Sequence, residues 1–167
     1  VAIGQNTVTI TKEGDYIING SLSDGMVIVD VEKSEKVQLI LNGVTIHSES
    51  SAPIYIKKAD KVFVTLAEGT ENTLTNGGKF TAIDDNNIDA VIFSKDDMTL
   101  NGTGTLIVKS PSAHGIVSKN ELVVTDGTYE ITAASQGLSG KENVAIADGN
   151  FVIAAGKAAI KSANDDD

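Results

Sequence analysis

Two kinds of residue in this chain could do chemistry, and both occur in clusters. The first is a run of oxygen ligands: Asp84, Asp85, Asn86, Asn87 and Asp89 crowd into one short stretch. Ca²⁺ takes six to eight hard oxygen ligands in flexible geometry, and carboxylates packed this closely repel one another unless a cation or protons offset the charge. The order Asp85-x-Asn87-x-Asp89 mimics the opening of an EF-hand loop, but the sixth-position Gly is missing and the run leads straight into a strand pattern. The expectation is therefore calcium without an EF-hand, with a solvated turn as the alternative, since Asp and Asn are drawn to turns. A second candidate calcium site is Asn164, Asp165, Asp166 and Asp167, for which a frayed acidic tail is the alternative. Asp96 and Asp97 sit at a comparable corner and read as separate and exposed. The second kind of residue is lysine. Lys95, Lys119 and Lys141 fall at matching places in a repeated phrase, with Lys57 or Lys58 before them and Lys161 roughly after. If the copies stack, these ammonium groups line one face about 5 Å apart. Such a ladder costs energy unless anions answer it. Glu121 and Glu142 could do so locally. The functional alternative is a linear polyanion lying along the stack, and uronic acids suit both the ammonium groups and bound calcium.

Other candidates are weaker. His47 and His114 stand alone, with no Cys or second His at ligand spacing, and read as ordinary surface residues. The Gly137-Leu-Ser-Gly phrase lacks the spacing of a nucleophile elbow and reads as a tight place where Leu138 enters the core. Tyr16 and Tyr55 could stack on sugar rings, whereas Tyr129 belongs to an inner column.

What must position these groups is a repeat of roughly 22–24 residues, a period that signals a solenoid. One phrase opens at Asp89, again at His114 and again at Gln136, and a fourth copy begins at Ala158. Ile92, Ile116, Leu138 and Ile160 form one apolar column; Met98, Leu122 and Val144 form a second; Leu100, Val124 and Ile146 form a third. Leu106, Tyr129 and Phe151 align, as do Val108, Ile131 and Ile153. Apolar and polar residues alternate with a period of two, so the segments are strands. Asn101-Gly102, Asp126-Gly127 and Asp148-Gly149 recur at one corner, where Asn, Asp and Gly tolerate a left-handed backbone. A sandwich of hairpins would leave the periodicity unexplained. The chain is expected to be all-β, a parallel β-helix of about six to seven coils with three short strands in each. It reads as one domain over residues 1–167. Residues 1–25 form an irregular N-terminal cap coil, and 75–89 form an acidic loop inserted at a corner.

Composition narrows the function. The sequence has 167 residues, no Cys and no Arg, and a formal net charge of −10. Disulfides and thiolate metal sites are excluded. A nucleic-acid surface is not expected, since it needs clustered cations to displace counterions. No apolar run approaches a membrane span, and no signal peptide opens the sequence. The balance fits a secreted or surface protein.

The phrases Gly14-Asp-Tyr-Ile-Ile-Asn-Gly-Ser-Leu-Ser-Asp-Gly, Leu39-Ile-Leu-Asn-Gly-Val-Thr-Ile, Ala52-Pro-Ile-Tyr-Ile-Lys and Glu68-Gly-Thr-Glu-Asn-Thr-Leu-Thr carry a resemblance, joined by Leu100-Asn-Gly-Thr-Gly-Thr-Leu and Ile160-Lys-Ser-Ala-Asn-Asp-Asp-Asp. Together they make the chain similar to the carbohydrate-binding β-helix proteins of cellulose-degrading clostridia, which are distantly similar to pectate lyases. The resemblance implies a right-handed β-helix with bound Ca²⁺, a bacterial secreted or cell-surface location, and polygalacturonate, pectin or cellulose as partner. It implies Asp84, Asp85, Asn87, Asp89 and the 164–167 run as metal ligands. The lysines Lys95, Lys119 and Lys141 are the expected carbohydrate contacts, on a monomer that inserts in no membrane. The expected function is calcium-dependent, non-catalytic binding of acidic polysaccharide. The alternative is a lyase in which Ca²⁺ acidifies the proton beside a uronate carboxylate and a Lys acts as base. A structural spacer is the third possibility.

Overall fold

The computed structural model describes residues 1–162, and these wind into six coils and the start of a seventh. The first coil holds β1 (Ala2–Ile3), β2 (Thr7–Ile10) and β3 (Gly14–Leu22), and the second holds β4 (Met26–Asp30) and β5 (Lys36–Ser48). The third coil holds β6 (Ile54–Lys58), β7 (Lys61–Leu66) and β8 (Glu71–Asn76), and the fourth β9 (Ala90–Ser94), β10 (Asp97–Gly102) and β11 (Thr105–Ser110). The fifth holds β12 (His114–Ser118), β13 (Glu121–Val124) and β14 (Thr128–Ala133). The sixth holds β15 (Leu138–Gly140), β16 (Asn143–Ile146) and β17 (Asn150–Ala155), and β18 (Ile160–Ser162) opens the seventh. There is no helix among the described residues, and so none that could cross a membrane.

Stacking is parallel throughout, apart from β1, which folds back antiparallel on β2. The first strands of successive coils form one sheet in the order β1-β2-β4-β6-β9-β12-β15-β18. The register sets Ile92, Ile116, Leu138 and Ile160 directly above one another. It does the same for Met98, Leu122 and Val144, and for Leu106, Tyr129 and Phe151. The expected columns and the parallel solenoid are therefore present. The second and third strands form a single sheet of ten, because β5 runs through the corner and pairs β7 with its first half and β8 with its second. The sequence suggested two strands parted at Asn42-Gly43. The strand continues because the buried Asn72 side chain of the next coil accepts the corner N–H groups of Gly43 and Val44 at 2.9 and 3.1 Å. In the later coils the same corner is open, and Gly102, Gly127 and Gly149 take φ of 83°, 114° and 131°, a region that a side chain resists.

Burial differs between faces. The second and third strands alternate buried and exposed, as β7 and β14 show. β4 and β9 are buried almost without alternation. A strand reads that way when both of its faces are covered. Inward, its residues join the main core with Val29, Ile54, Ile92 and Ile116. Outward, Met26, Ile28, Tyr55, Phe93 and Val117 join Ile88 in a second apolar cluster, against which Phe80 packs. Phe80 and Ile88 belong to the inserted segment, which thus folds back over the first sheet. Its base is fixed by Asn76, whose Nδ2 donates to the carbonyls of Ser48, Ser51 and Lys79 and whose Oδ1 accepts from Gly78 N–H.

Candidate functional site

The outer face of the first sheet carries the site. Register places Ile28, Tyr55, Phe93, Val117, Ser139 and Lys161 in one column. The inserted loop covers this column down to Phe93. Beyond it lies an open groove lined by His114, Val117, Lys119, Gln136, Ser139, Lys141 and Lys161. Val117 and Ser139 are its floor. Lys119 and Lys141 rise on one side, one coil apart, because Lys119 N–H bonds Ser94 O at 2.8 Å and Lys141 N–H bonds Ser118 O at 3.0 Å. His114 and Gln136 form the other side; each precedes a glycine that lets the strand approach the third face closely. A Cβ at Gly115 would stand 2.7 Å from Ile131 Cγ2, and one at Gly137 would stand 2.5 Å from Ile153 Cγ2.

The expected lysine ladder exists in backbone register, but its members differ. Lys57 heads it and is answered by Asp30 at 2.7 Å, which raises the Lys57 pKa above its ordinary value. Lys95 is exposed and lies outside the groove lining. Lys119 leans over the Phe93 ring, 5.2 Å from its centroid, with Asp89 Oδ2 at 3.8 Å. Lys141 and Lys161 have no carboxylate within 4 Å among the described residues. Glu121 does not answer the ladder; it faces Lys61 at 3.8 Å. Lys161 follows one column over, level with Ser139 rather than with Lys141.

His114, read from sequence as an ordinary surface residue, is a wall of this groove. Its Nδ1 accepts from Gln136 N–H at 3.2 Å. Burial pushes its pKa down; Asp89 opposes that, and Lys119, Lys157 and Lys161 push it down further. The imidazole is therefore neutral at neutral pH, with cations around it. The signal for His114 and Gln136 was present in the repeat, since both open the same phrase, but their types suggested no chemistry when read singly.

The acidic loop does not converge on one point. Asp84 is held by donors: Asn86 N–H at 2.9 Å, Asn86 Nδ2 at 2.8 Å and the Tyr55 hydroxyl at 2.8 Å. Burial alone would raise its pKa; these bonds and Lys57 outweigh burial and lower it. Asp85 is exposed, and Asn87 Nδ2 reaches Asp89 Oδ2 at 3.4 Å. Among the described residues no three His, Asp or Glu side chains gather as a metal site. The feature that fits a cation is Asp89 Oδ1, which is buried without a hydrogen-bond partner. Asn164, Asp165, Asp166 and Asp167 lie outside the described residues. Asp96, expected to be exposed, is buried: it pairs with Lys33 and accepts Ala59 N–H at 3.0 Å. Tyr55 is not available to stack on a sugar, because the loop seals it; burial first, and then Asp84, raise its hydroxyl pKa well above the ordinary value.

Comparison with known proteins agrees with this architecture. A family described as carbohydrate-binding domain-containing protein matches residues 4–167. A protein of that description from Acetivibrio thermocellus is 39% identical over 135 residues, 80% of this chain. The chain spans 47% of that relative's length. A solved structure, that of the polysaccharide lyase-like protein from C. thermocellum as a gadolinium derivative, superposes with a TM-score of 0.79 at 29% identity, over 96% of this chain and 86% of the other.

Proposed function

The chain belongs to the family of carbohydrate-binding domain-containing proteins, and from that premise we propose that it binds an acidic polysaccharide in the groove of the first sheet. The observation that carries this is the gathering of Lys119, Lys141 and Lys161 around one hollow in a chain of net charge −10. A cluster of cations on an otherwise anionic surface selects anions, and ammonium–carboxylate hydrogen bonds are among the stronger polar contacts. Val117 offers an apolar patch for a ring face, while Gln136, Ser139 and His114 can meet hydroxyls. Polygalacturonate and pectin supply such rings; cellulose, which is neutral, would use the floor without the lysines. The protein would act outside the cell, at the surface or free of it. Affinity electrophoresis against pectin and against cellulose tests the proposal. Retardation by pectin, lost in the Lys119→Gln, Lys141→Gln double variant, is the expected result. Retardation by cellulose alone would overturn it.

Calcium dependence is the second part of the proposal. It is supported by the oxygen-rich residues at 84–89 and 164–167 and by the unpartnered Asp89 Oδ1. The gadolinium derivative of the matched protein is in keeping with it, since a lanthanide takes hard oxygen ligands as Ca²⁺ does. EDTA should weaken pectin retardation, and added Ca²⁺ should restore it and raise the melting temperature. The lyase-like description of the solved neighbour supports a second reading, a lyase with a groove lysine as base. That reading requires ultraviolet absorbance to grow when the protein is incubated with polygalacturonate and Ca²⁺.

A further inference from the structure

The groove has one closed end. On the side of the early coils it runs into the inserted segment, where Phe80 and Ile88 pack over Tyr55 and Phe93 and leave those rings 0% and 1% exposed. The barrier is tied down by the Tyr55–Asp84–Asn86 hydrogen bonds and by the Asn76 contacts at its base. Its charge matters as well. Asp84, Asp85 and Asp89 stand at or above that end, and Asp30 lies beyond them, bonded to Lys57. An anionic chain lying along the solenoid would meet steric obstruction and like charge at the same point. In the other direction the floor continues from Val117 through Ser139 to Lys161. That is two coil steps, about 10 Å at ~4.8 Å per coil, the span of two or three linked pyranose rings.

We infer that the groove takes the end of a polyuronate chain, not its interior, and that the 77–89 loop is the stop against which the terminal ring sits. The inference rests on the acidic-polysaccharide reading and narrows its ligand to a chain terminus of two or three rings. The terminal ring lies over Val117, between Lys119 and His114. The following rings pass Ser139 and Lys141 toward Lys161.

Isothermal titration of the wild-type protein with defined oligogalacturonates, in calcium-containing buffer, tests this. A chain-end site gains affinity from one ring to about three, by about tenfold or more, and then no further. It also binds one protein per chain however long the chain is, because each chain has one such end. An interior site gains with every added ring, since longer chains offer more overlapping positions, and it loads several proteins on a chain of about twenty rings. Continued gain, or several proteins per chain, would overturn the inference and leave the acidic-polysaccharide reading standing. Failure of every oligogalacturonate to bind would overturn both.

Discussion

Ile28, Tyr55 and Phe93 occupy the same column of the first sheet as Val117, Ser139 and Lys161, yet the early residues lie under the inserted loop and the late ones border open solvent. Backbone, register and strand direction are alike in the two halves. Side-chain type changes where the cover ends, from aromatic and aliphatic to hydroxyl and ammonium. The covered half converts its outer face into a second small core, with Tyr55 and Phe93 rings 5.9 Å apart. The open half leaves the same surface for a ligand. One β-helix face thus contributes to stability in its early coils and to recognition in its late ones, and a single corner insertion sets the division.

Substitutions can break this division from either side. The largest effect is expected from Tyr55→Ala, which empties a fully buried site and removes a donor to Asp84. It should cost about 3–5 kcal/mol of stability, read by denaturant unfolding, whereas the same measurement on Ser139→Ala should show little change. The reverse pattern is expected for Lys119→Gln with Lys141→Gln. Two charge-assisted contacts are lost, so polyuronate affinity at low salt should fall about a hundredfold, while stability stays within about 0.5 kcal/mol. If unfolding rather than binding moved, the open half would be structural after all.

A smaller effect concerns pH. Because burial and the lysines hold the His114 pKa below its usual value, an anion in the groove favours the imidazolium, and binding draws in a proton. Polyuronate affinity should rise a few-fold as pH falls from about 7.5 to about 5.5, around the ordinary His value near 6.5. His114→Gln should flatten that profile. Without ligand, the depressed pKa acts in the opposite sense. Its contribution to stability is complete above about pH 6.5 and declines below it.

The smallest expected effect belongs to Asp84. Its lowered pKa means that it stabilises the loop above the unfolded carboxylate value of about 3.9 and ceases to do so as pH falls through the folded value. Amide exchange in residues 77–89 should therefore quicken in acid, and Asp84→Asn should remove most of that dependence while leaving the later coils unaffected.

Much of the fold was legible because it is periodic. Columns such as Met98, Leu122 and Val144 are visible once the repeat is found, since a coil of nearly constant length stacks like residues without further information. The ladder of Lys119 and Lys141 came out of the same arithmetic. The site was less legible. Lys95 and Lys141 hold equal places in the repeat, but one lies outside the groove and the other lines it. The acidic run suggested a single ion site, whereas Asp84 turns to Tyr55 and Asp89 to Lys119. One clue was available: Ala90-Val91-Ile92-Phe93 does not alternate, and a strand apolar on both faces implies something covering its outside.

The sequence by itself determined the winding, because period and alternation are local properties that each coil states anew. Tertiary structure alone decided which stretch of the outer surface is closed, because the loop's destination depends on contacts between residues far apart, such as Tyr55 with Asp84 and Asn76 with Ser48. No repeat encodes those contacts, since the inserted segment occurs once.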